Sequence, residues 1–216
     1  MNRIALIMLV IAQLPSSLCN AQSIESWGFK AGLTSSAEQL DWATPPVIPH
    51  SSERRVGFIL GAFAEWSIVA PISVVTEVEY RQAGSLQQAV YEYNAPATRW
   101  VFLNDRVDYI SIPILMKVAF PYGPVRPYIF AGPRLDFQVG FHRSPLFDYP
   151  TDFPPYEDYR KVLLGGTVGA GVELKDLLPF AVLAELSYDP DFSDSYKDNY
   201  LTIHGNAYRL SLGVQL

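Results

Sequence analysis

The feature that most constrains the fold of this chain is the separation of charge between the two faces of its predicted strands. From residue 26 onward, apolar residues recur at every second position in eight segments, which is the period of a β-strand. One face of each segment is apolar, aromatic, small or weakly polar, and the other carries nearly all of the charges. The chain is 18% charged, so chance would place about eight charges among the roughly 45 positions of the first face, which has none.

We predict an all-β fold whose eight strands are Trp27–Leu33, Val56–Trp66, Ser73–Gln82, Tyr109–Phe120, Pro127–His142, Val162–Leu174, Phe180–Tyr188 and Tyr208–Leu216. The connections between them alternate in length. Those at 67–72, 121–126 and 175–179 are short, and those at 34–55, 83–108, 143–161 and 189–207 are long. This pattern is typical of an antiparallel up-and-down transmembrane β-barrel with short periplasmic turns and long extracellular loops.

The charged face is predicted to line the barrel interior. A barrel in water has an apolar interior, so an apolar exterior around a charged interior indicates that the outer solvent is lipid. Five bases and six acids nearly balance, and eight strands enclose a space only wide enough for side chains. We predict an interior closed by ion pairs, with a proton or ion path as the alternative. The residues are Lys30, Glu65, Glu77, Glu79, Arg81, Lys117, Arg134, Asp136, Glu173, Glu185 and Arg209.

The N-terminus predicts export. A short positive segment at 1–3, an apolar segment at 4–14 and small or polar residues at 16–21 indicate a signal peptide, 1–21, cleaved between Ala21 and Gln22. This segment of eleven residues is too short for a membrane helix, which needs about 20. Lipidation at Cys19 is disfavoured because Leu18 is bulky. The remaining domain, 22–216, then contains no cysteine, which excludes disulfides and cysteine-based zinc binding or catalysis.

Two segments of the chain are distinctive, Asp108-Tyr109-Ile110-Ser111-Ile112-Pro113 and Arg126-Pro127-Tyr128-Ile129-Phe130-Ala131-Gly132-Pro133. In these and other segments the chain resembles the PorT-like outer-membrane β-barrel family of Bacteroidetes. The resemblance implies an eight-stranded barrel in the outer membrane and little chemistry, with one branch tied to type IX secretion. The final Leu216 departs from the aromatic residue common at this position, but it keeps the apolar alternation of an assembly signal. Further segments that carry the resemblance are 28–33, 57–66, 77–84 and 169–173.

Charge and composition suggest the partners. After cleavage, 15 basic residues face 22 acidic ones, a net charge of −7, which disfavours nucleic acid. The expected partners are outer-membrane lipid and, during insertion, the barrel assembly machinery. Aromatic residues in the long loops either pack over the barrel mouth or contact an envelope protein or glycan partner. They are Trp42, Tyr91, Tyr93, Trp100, Phe102, Phe147, Tyr149, Phe153, Tyr156, Tyr159, Tyr196 and Tyr200.

No motif indicates catalysis, a cofactor or a metal. The three histidines, His50, His142 and His204, lie at or in the long loops. On paper, His142 could act with Ser144 and Asp148, or His204 with Ser195 and Asp194, as in an esterase or acyltransferase. The segment 189–194 has oxygen ligands at loosely calcium-like spacing, but it lacks the central glycine and terminal glutamate of an EF-hand loop.

Three functions fit the sequence. The first is a small, non-enzymatic outer-membrane barrel, structural or adhesive, or accessory to a secretion or envelope complex. The second is a hydrolase or acyltransferase that acts on outer-membrane lipid. The third is a soluble secreted barrel that binds an apolar ligand. A fold shared by many activities cannot choose among them.

Overall fold

The computed structural model of the protein describes residues 24–43, 50–92, 98–120, 123–145, 159–175 and 179–216. The predicted signal peptide lies outside these residues. Within them, no helix is long and apolar enough to cross a membrane. The strands are β1 (Ile24–Trp42), β2 (His50–Val69), β3 (Ile72–Glu92), β4 (Thr98–Ala119), β5 (Val125–Pro145), β6 (Val162–Leu174), β7 (Ala181–Pro190), β8 (Tyr196–Lys197) and β9 (Leu201–Gln215).

Eight of these strands close into an antiparallel barrel. Strands β1 to β7 and β9 pair in chain order, and β9 pairs back to β1, while the two-residue β8 is added to the edge of β9. A line of paired residues that starts at Trp66 returns to β2 at Val56, so closure carries a stagger of ten residues. Such a stagger tilts the strands against the barrel axis. The predicted fold class is therefore confirmed.

The extracellular ends of the strands are longer than predicted. Strand β1 continues from Leu33 to Trp42, so much of the predicted loop 34–55 is paired strand. The alternation of inward and outward residues continues here, but from Thr34 to Glu38 both faces are polar or small because the outward face no longer meets lipid. The contrast used for prediction is therefore lost. Similar extensions occupy parts of the predicted loops 83–108, 143–161 and 189–207. The inward residues of the β1 extension are Thr34, Ser36 and Glu38.

A bulge in β5 reverses one predicted orientation. Tyr109 pairs with Gln138 and Asp108 with Gly140, which leaves Val139 without a partner. An extra residue exchanges the inward and outward positions beyond it. Phe141, which the alternation predicts as outward, consequently packs against a buried cluster that includes Val107.

The outer wall of the barrel is apolar between two aromatic belts. Trp27 and Phe120 are exposed at the periplasmic end. Tyr188 and Tyr208 are exposed at the extracellular end, where their ring centroids lie 5.1 Å apart. Aromatic residues at both edges of an apolar band are typical of membrane interfaces. Between the belts, the exposed side chains include Phe29, Leu60, Val78, Met116, Ile129, Leu186, Leu210 and Leu212.

Glycines in β6 make room for aromatic rings inside the barrel. A Cβ atom on Gly169 would lie 2.5 Å from the Phe130 ring, and one on Gly171 would lie 2.6 Å from the Tyr128 ring. Both rings lie in a buried cluster with Phe63, Val75, Leu115 and Leu183. The glycine-rich sequence of β6 therefore allows the interior to be filled by bulky residues of the neighbouring strand.

Candidate functional site

The barrel interior is the first candidate site. The structure places all eleven charged side chains of the predicted interior set inside the barrel, each with 8% or less of its surface exposed. A buried charge is costly unless it is paired and hydrogen-bonded. The partners of these charges fall into separate layers along the barrel axis.

The periplasmic layer is centred on Lys117. Its Nζ lies 2.8 Å from Oε2 of Glu65 and 3.7 Å from Oε2 of Glu173, and it also lies 4.4 Å from the centroid of the Tyr128 ring. Lys175, at the periplasmic end of β6, adds a contact of 2.7 Å to Glu173. This layer borders a cavity of about 170 Å³ at the periplasmic mouth.

An apolar layer separates the periplasmic layer from the centre of the barrel. It is the cluster of Phe63, Tyr128, Phe130 and their neighbours, which lies inside the ring of strands. Lys117 packs on the Tyr128 ring, whereas Lys30 of the central layer lies 4.8 Å from the centroid of the Phe63 ring. The Tyr128 hydroxyl donates to Oε1 of Glu185 at 2.7 Å, also in the central layer. Ions crossing the lumen would have to pass these packed rings.

The central layer is a set of interlinked ion pairs. Lys30 Nζ lies 2.6 Å from Glu77 and 2.9 Å from Glu185. Arg209 Nη1 lies 2.6 Å from Glu79. These contacts join residues of β1, β3, β7 and β9 across the interior, so they tie together strands that are not directly paired with each other.

Arg134 is the most heavily engaged cation of the interior. It is fully buried, and its guanidinium donates to Asp136 at 2.8 Å, to Asp191, and to the carbonyl oxygen of Gly166 at 2.8 Å. Asp136 also accepts from Arg81 at 2.8 Å and from the Ser111 hydroxyl. Two arginines therefore share one buried carboxylate.

Asp189 is an interior carboxylate outside the predicted interior set. It is fully buried, 3.0 Å from Arg209 and 3.4 Å from Arg134, so it links the ion pairs of Arg209 to those of Arg134. Asp189 falls in the predicted loop 189–207, although it continues the inward alternation of Glu185 and Ser187. That alternation was the signal available in the sequence.

The extracellular layer contains residues outside the predicted interior set. Glu38 is buried and accepts from the Ser85 hydroxyl at 2.8 Å and from Gln87 at 3.4 Å. Asp105 is buried and forms a two-point contact with Arg143 at 2.7 and 2.8 Å. Burial, reinforced by the negative charge of Asp105, raises the pKa of Glu38 to about 7.

We expect Glu38 to make the extracellular end of the barrel less stable as the pH rises. Its folded pKa of about 7 exceeds its ordinary value of 4.5, so its stabilising contribution is fully present below about 4.5 and is lost as the pH rises through about 7. Glu38→Gln should resemble the protonated side chain. The variant should match wild type at pH 5 and exchange backbone amides more slowly than wild type in β1 and β3 at pH 8. Equal exchange at pH 8 would contradict the burial of an ionised Glu38.

The histidines are not assembled into a catalytic group in the described residues. His204 Nδ1 lies 3.2 Å from Asp194, but the buried Ser195 donates its hydroxyl to the carbonyl oxygen of Ile203 at 3.0 Å. His142 lies against Arg106, with 3.0 Å between Nδ1 and Nη2. Asp148 and the side chain of His50 lie outside the described part of the chain.

The predicted calcium segment distributes its carboxylates among different cations. Asp189 and Asp191 pair with interior arginines, whereas Asp194 lies on the outer side near His204 and Lys197. In the part of the chain that the structure describes, no group of three or more His, Cys, Asp or Glu residues could hold a metal ion.

The loop aromatics divide into packed and exposed residues. Tyr159 is buried with Leu201 and Ile203, and Trp42 and Tyr196 pack against that cluster. Tyr200 is 70% exposed. The remaining aromatic side chains of the predicted contact surface lie outside the described ones, namely Tyr91, Tyr93, Trp100, Phe102, Phe147, Tyr149, Phe153 and Tyr156.

Comparison with known proteins identifies similar barrels. The outer membrane protein beta-barrel domain family matches residues 20–197 of the chain. Neisserial surface protein A (NspA) is 18% identical, with 87% of this chain and 96% of that chain covered and a TM-score of 0.44. Ail, the attachment invasion locus protein of Yersinia pestis, is 12% identical, with coverages of 88% and 98% and a TM-score of 0.40. OprG from Pseudomonas aeruginosa is 10% identical, with coverages of 88% and 95% and a TM-score of 0.49. No curated protein matches the chain.

Proposed function

Since the chain belongs to the outer membrane protein beta-barrel domain family, we propose that it is a non-enzymatic, non-conducting barrel of the outer membrane that presents its extracellular end to a partner. The observation that carries this proposal is the filled interior. Ion-paired layers alternate with a layer of packed aromatic and aliphatic side chains. Such a barrel acts through its outer surfaces and not as a channel.

The extracellular end supports a role in presentation. The strands continue beyond the aromatic belt as paired sheet, with Gln39 of β1 still bonded to His204 of β9. Tyr159, Leu201 and Ile203 form a packed cluster at this end. The paired strand ends with exposed Tyr200 form a preformed contact surface. Such a surface loses less conformational entropy on binding than a flexible loop does.

Conductance measurements test whether the barrel is closed. Purified protein inserted into planar lipid bilayers should leave the current at the baseline of the protein-free membrane, while a large porin in the same bilayers gives clear steps. Reproducible single-channel steps from the purified protein would overturn the non-conducting part of the proposal.

The partner itself is tested by cross-linking in native outer membranes. A partner protein or glycan should co-purify with the wild-type barrel and be reduced with Tyr200→Ser, because that substitution removes an exposed aromatic contact while leaving the barrel wall unchanged. Tyr188→Ser, in the lipid belt, is the control and should retain the partner. Recovery of no specific partner, or equal recovery with Tyr200→Ser, would contradict presentation through this surface.

The lipid hydrolase or acyltransferase remains the second candidate function, because His204 and Asp194 do form a close pair. Against it, the hydroxyl of Ser195 is bonded to the backbone and is not directed to the imidazole by a hydrogen bond. Lipid A from cells with and without the gene should show the same acylation. A changed acylation pattern would favour the enzyme.

The third hypothesis, a soluble barrel that binds an apolar ligand, disagrees with the family match and with the ion pairs of the barrel interior. The family places the chain in the outer membrane, and the described interior carries the ion pairs. The finer resemblance to the PorT-like branch adds an accessory role in type IX secretion as a hypothesis. Normal secretion of type IX substrates after deletion of the gene would remove it.

A further inference from the structure

Two arginines from different strands meet on the outer surface of the barrel, above the extracellular aromatic belt. The pairing of β2 with β3 is interrupted between Arg54 and Ile59. Arg55 lies in this gap, and its Nε donates to Oδ1 of Asn104 on β4 at 3.0 Å, although β3 lies between the two strands. Arg106 is two residues from Asn104 along β4. The interruption therefore brings the guanidinium groups of Arg55 and Arg106 into one cluster.

Glycine 84 makes this approach feasible. Gly84 has a φ of 122°, which L side chains rarely adopt, and a Cβ atom there would lie 2.0 Å from the carbonyl oxygen of Asp105. A residue with a side chain would thus force β3 away from β4. Strand β3 consequently presents no side chain at this position, and the surface between β2 and β4 stays free for Arg55.

The cluster carries more positive than negative charge, and its hydrogen bonds are incomplete. Nη1 of Arg55, Nε of Arg106 and Oδ1 of Asp108 are shielded from water and have no hydrogen-bond partner among the described residues. Arg106 shares Asp108 with His142, at 3.2 and 3.7 Å. Arg55 forms no ion pair with a described residue. Two guanidinium groups therefore face a single carboxylate, and buried polar groups without partners are unusual.

The pKa of Arg55 also indicates an excess of positive charge in the cluster. The pKa of Arg55 is lowered by its partial burial and then by the positive charge of Arg106. Asp108 opposes this lowering only in part. A further carboxylate or phosphate would oppose it more, because its negative charge favours the protonated guanidinium and its oxygens accept the free N–H groups. The local surface is therefore short of one anion.

The position of the cluster matches the level of lipid headgroups. Tyr80 packs on Phe58 with 5.5 Å between ring centroids, at the upper edge of the apolar wall. Tyr80 pairs with Leu60 and Ile110. Arg55 is five residues beyond Leu60, and Arg106 is four residues beyond Ile110. At about 3.3 Å per residue, the arginine backbones lie roughly 13–16 Å along the strands beyond Tyr80, which a strand tilt of about 35–45° reduces to roughly 10–13 Å along the barrel axis. Interfacial aromatics occupy the headgroup level of a membrane.

We propose that Arg55 and Arg106 bind the phosphate group of an outer-leaflet lipid. The planar guanidinium fork suits phosphate better than an ammonium group does. The bound molecule is a lipid because the apolar wall continues directly below the cluster, where Val56 and Phe58 are exposed. A phosphorylated lipid can satisfy the free donors with its headgroup and cover these side chains with its acyl chains. This site depends on the outer-membrane placement and not on the proposed partner-presenting function.

Native mass spectrometry of the intact barrel tests this site. The probes are a lipid A with phosphate groups and a lipid of the same sugar and acyl chains without phosphate. Wild type should retain the phosphorylated lipid at least tenfold better than the phosphate-free one. The Arg55→Gln, Arg106→Gln double variant should lose that preference.

Arg54→Gln is the matched control. Arg54 is adjacent in sequence and exposed, but its guanidinium already donates to Ser35 at 3.1 Å and to Asn206 at 3.0 Å, and stacks 4.6 Å above the Tyr208 ring. This variant should keep the wild-type preference for the phosphorylated lipid.

Three outcomes would overturn the proposal. They are equal retention of both lipids by wild type, an unchanged preference in the double variant, and an equal loss in Arg54→Gln. Displacement of the lipid by millimolar inorganic phosphate would indicate a site for free anions and would contradict the lipid assignment. The wild-type comparison needs no substitution, so it decides the proposal even if the double variant does not assemble.

Discussion

Val78→Arg is expected to abolish most of the membrane assembly of this barrel. Val78 is 56% exposed on the lipid-facing wall between the two aromatic belts. An arginine there would carry its charge into hydrocarbon, at a cost of about 2–4 kcal/mol near the bilayer midplane. The folded form, which migrates faster than the unfolded form on unheated gels, should fall to a small fraction of wild type in membrane preparations.

The adjacent residue provides the control. Glu79→Gln removes a charge from the interior, but the glutamine oxygen can still accept from Arg209, which keeps its contact with Asp189. Assembly of this variant should remain close to wild type. The two positions lie at the same depth in the bilayer, so the comparison isolates which side of the wall meets lipid. Equal assembly of the two variants would contradict the assignment of inside and outside.

The second large effect is expected for Arg134→Met. Arg134 is fully buried and contacts Asp136, Asp189 and Asp191. Its removal leaves Asp136 with Arg81 and Asp189 with Arg209, whereas Asp191 loses the only ion pair it forms among the described residues. Removing one partner from a buried ion pair costs about 3–5 kcal/mol. Urea unfolding of the protein in vesicles, followed by tryptophan fluorescence, should show a decrease of that size.

Arg160→Met is the control that shows whether the loss of stability in Arg134→Met depends on the burial of the arginine. Arg160 is exposed at the extracellular end, and exposed substitutions away from special features change stability by about 0.5 kcal/mol or less. An Arg134→Met variant as stable as Arg160→Met would show that the central ion pairs contribute nothing to the barrel.

The sequence predicts the fold well because lipid requires apolar residues on the outward face of each strand, while the inward face carries the polar and charged residues. Along β9, Leu210, Leu212 and Val214 alternate with Arg209 and Ser211, and the same contrast in seven other segments leaves little freedom of register. All eleven predicted charges lie in the interior for the same reason. Beyond the lipid, inward and outward residues are both polar, so no such contrast marks Glu38 or Asp105 in the sequence.

Other features depend on pairing that a single strand does not reveal. The bulge at Val139 turns Phe141 inward, and it arises from the register between β4 and β5. The approach of Arg55 to Arg106 depends on a gap in the pairing of β2 with β3 and on the backbone of Gly84. In sequence, these arginines are separated by 51 positions and by one strand. Their proximity therefore becomes visible only in the closed barrel.

The most direct test of the account compares spin labels at two outward positions of one strand. Single cysteines at Leu212 and His204, in a chain without Cys19, place labels on the same face of β9, between the belts and on the extracellular extension. In bilayers, the label at 212 should collide with dissolved oxygen and be shielded from a water-soluble nickel chelate, and the label at 204 should show the reverse. Free access of the nickel chelate to position 212 would show that water, and not lipid, surrounds this wall.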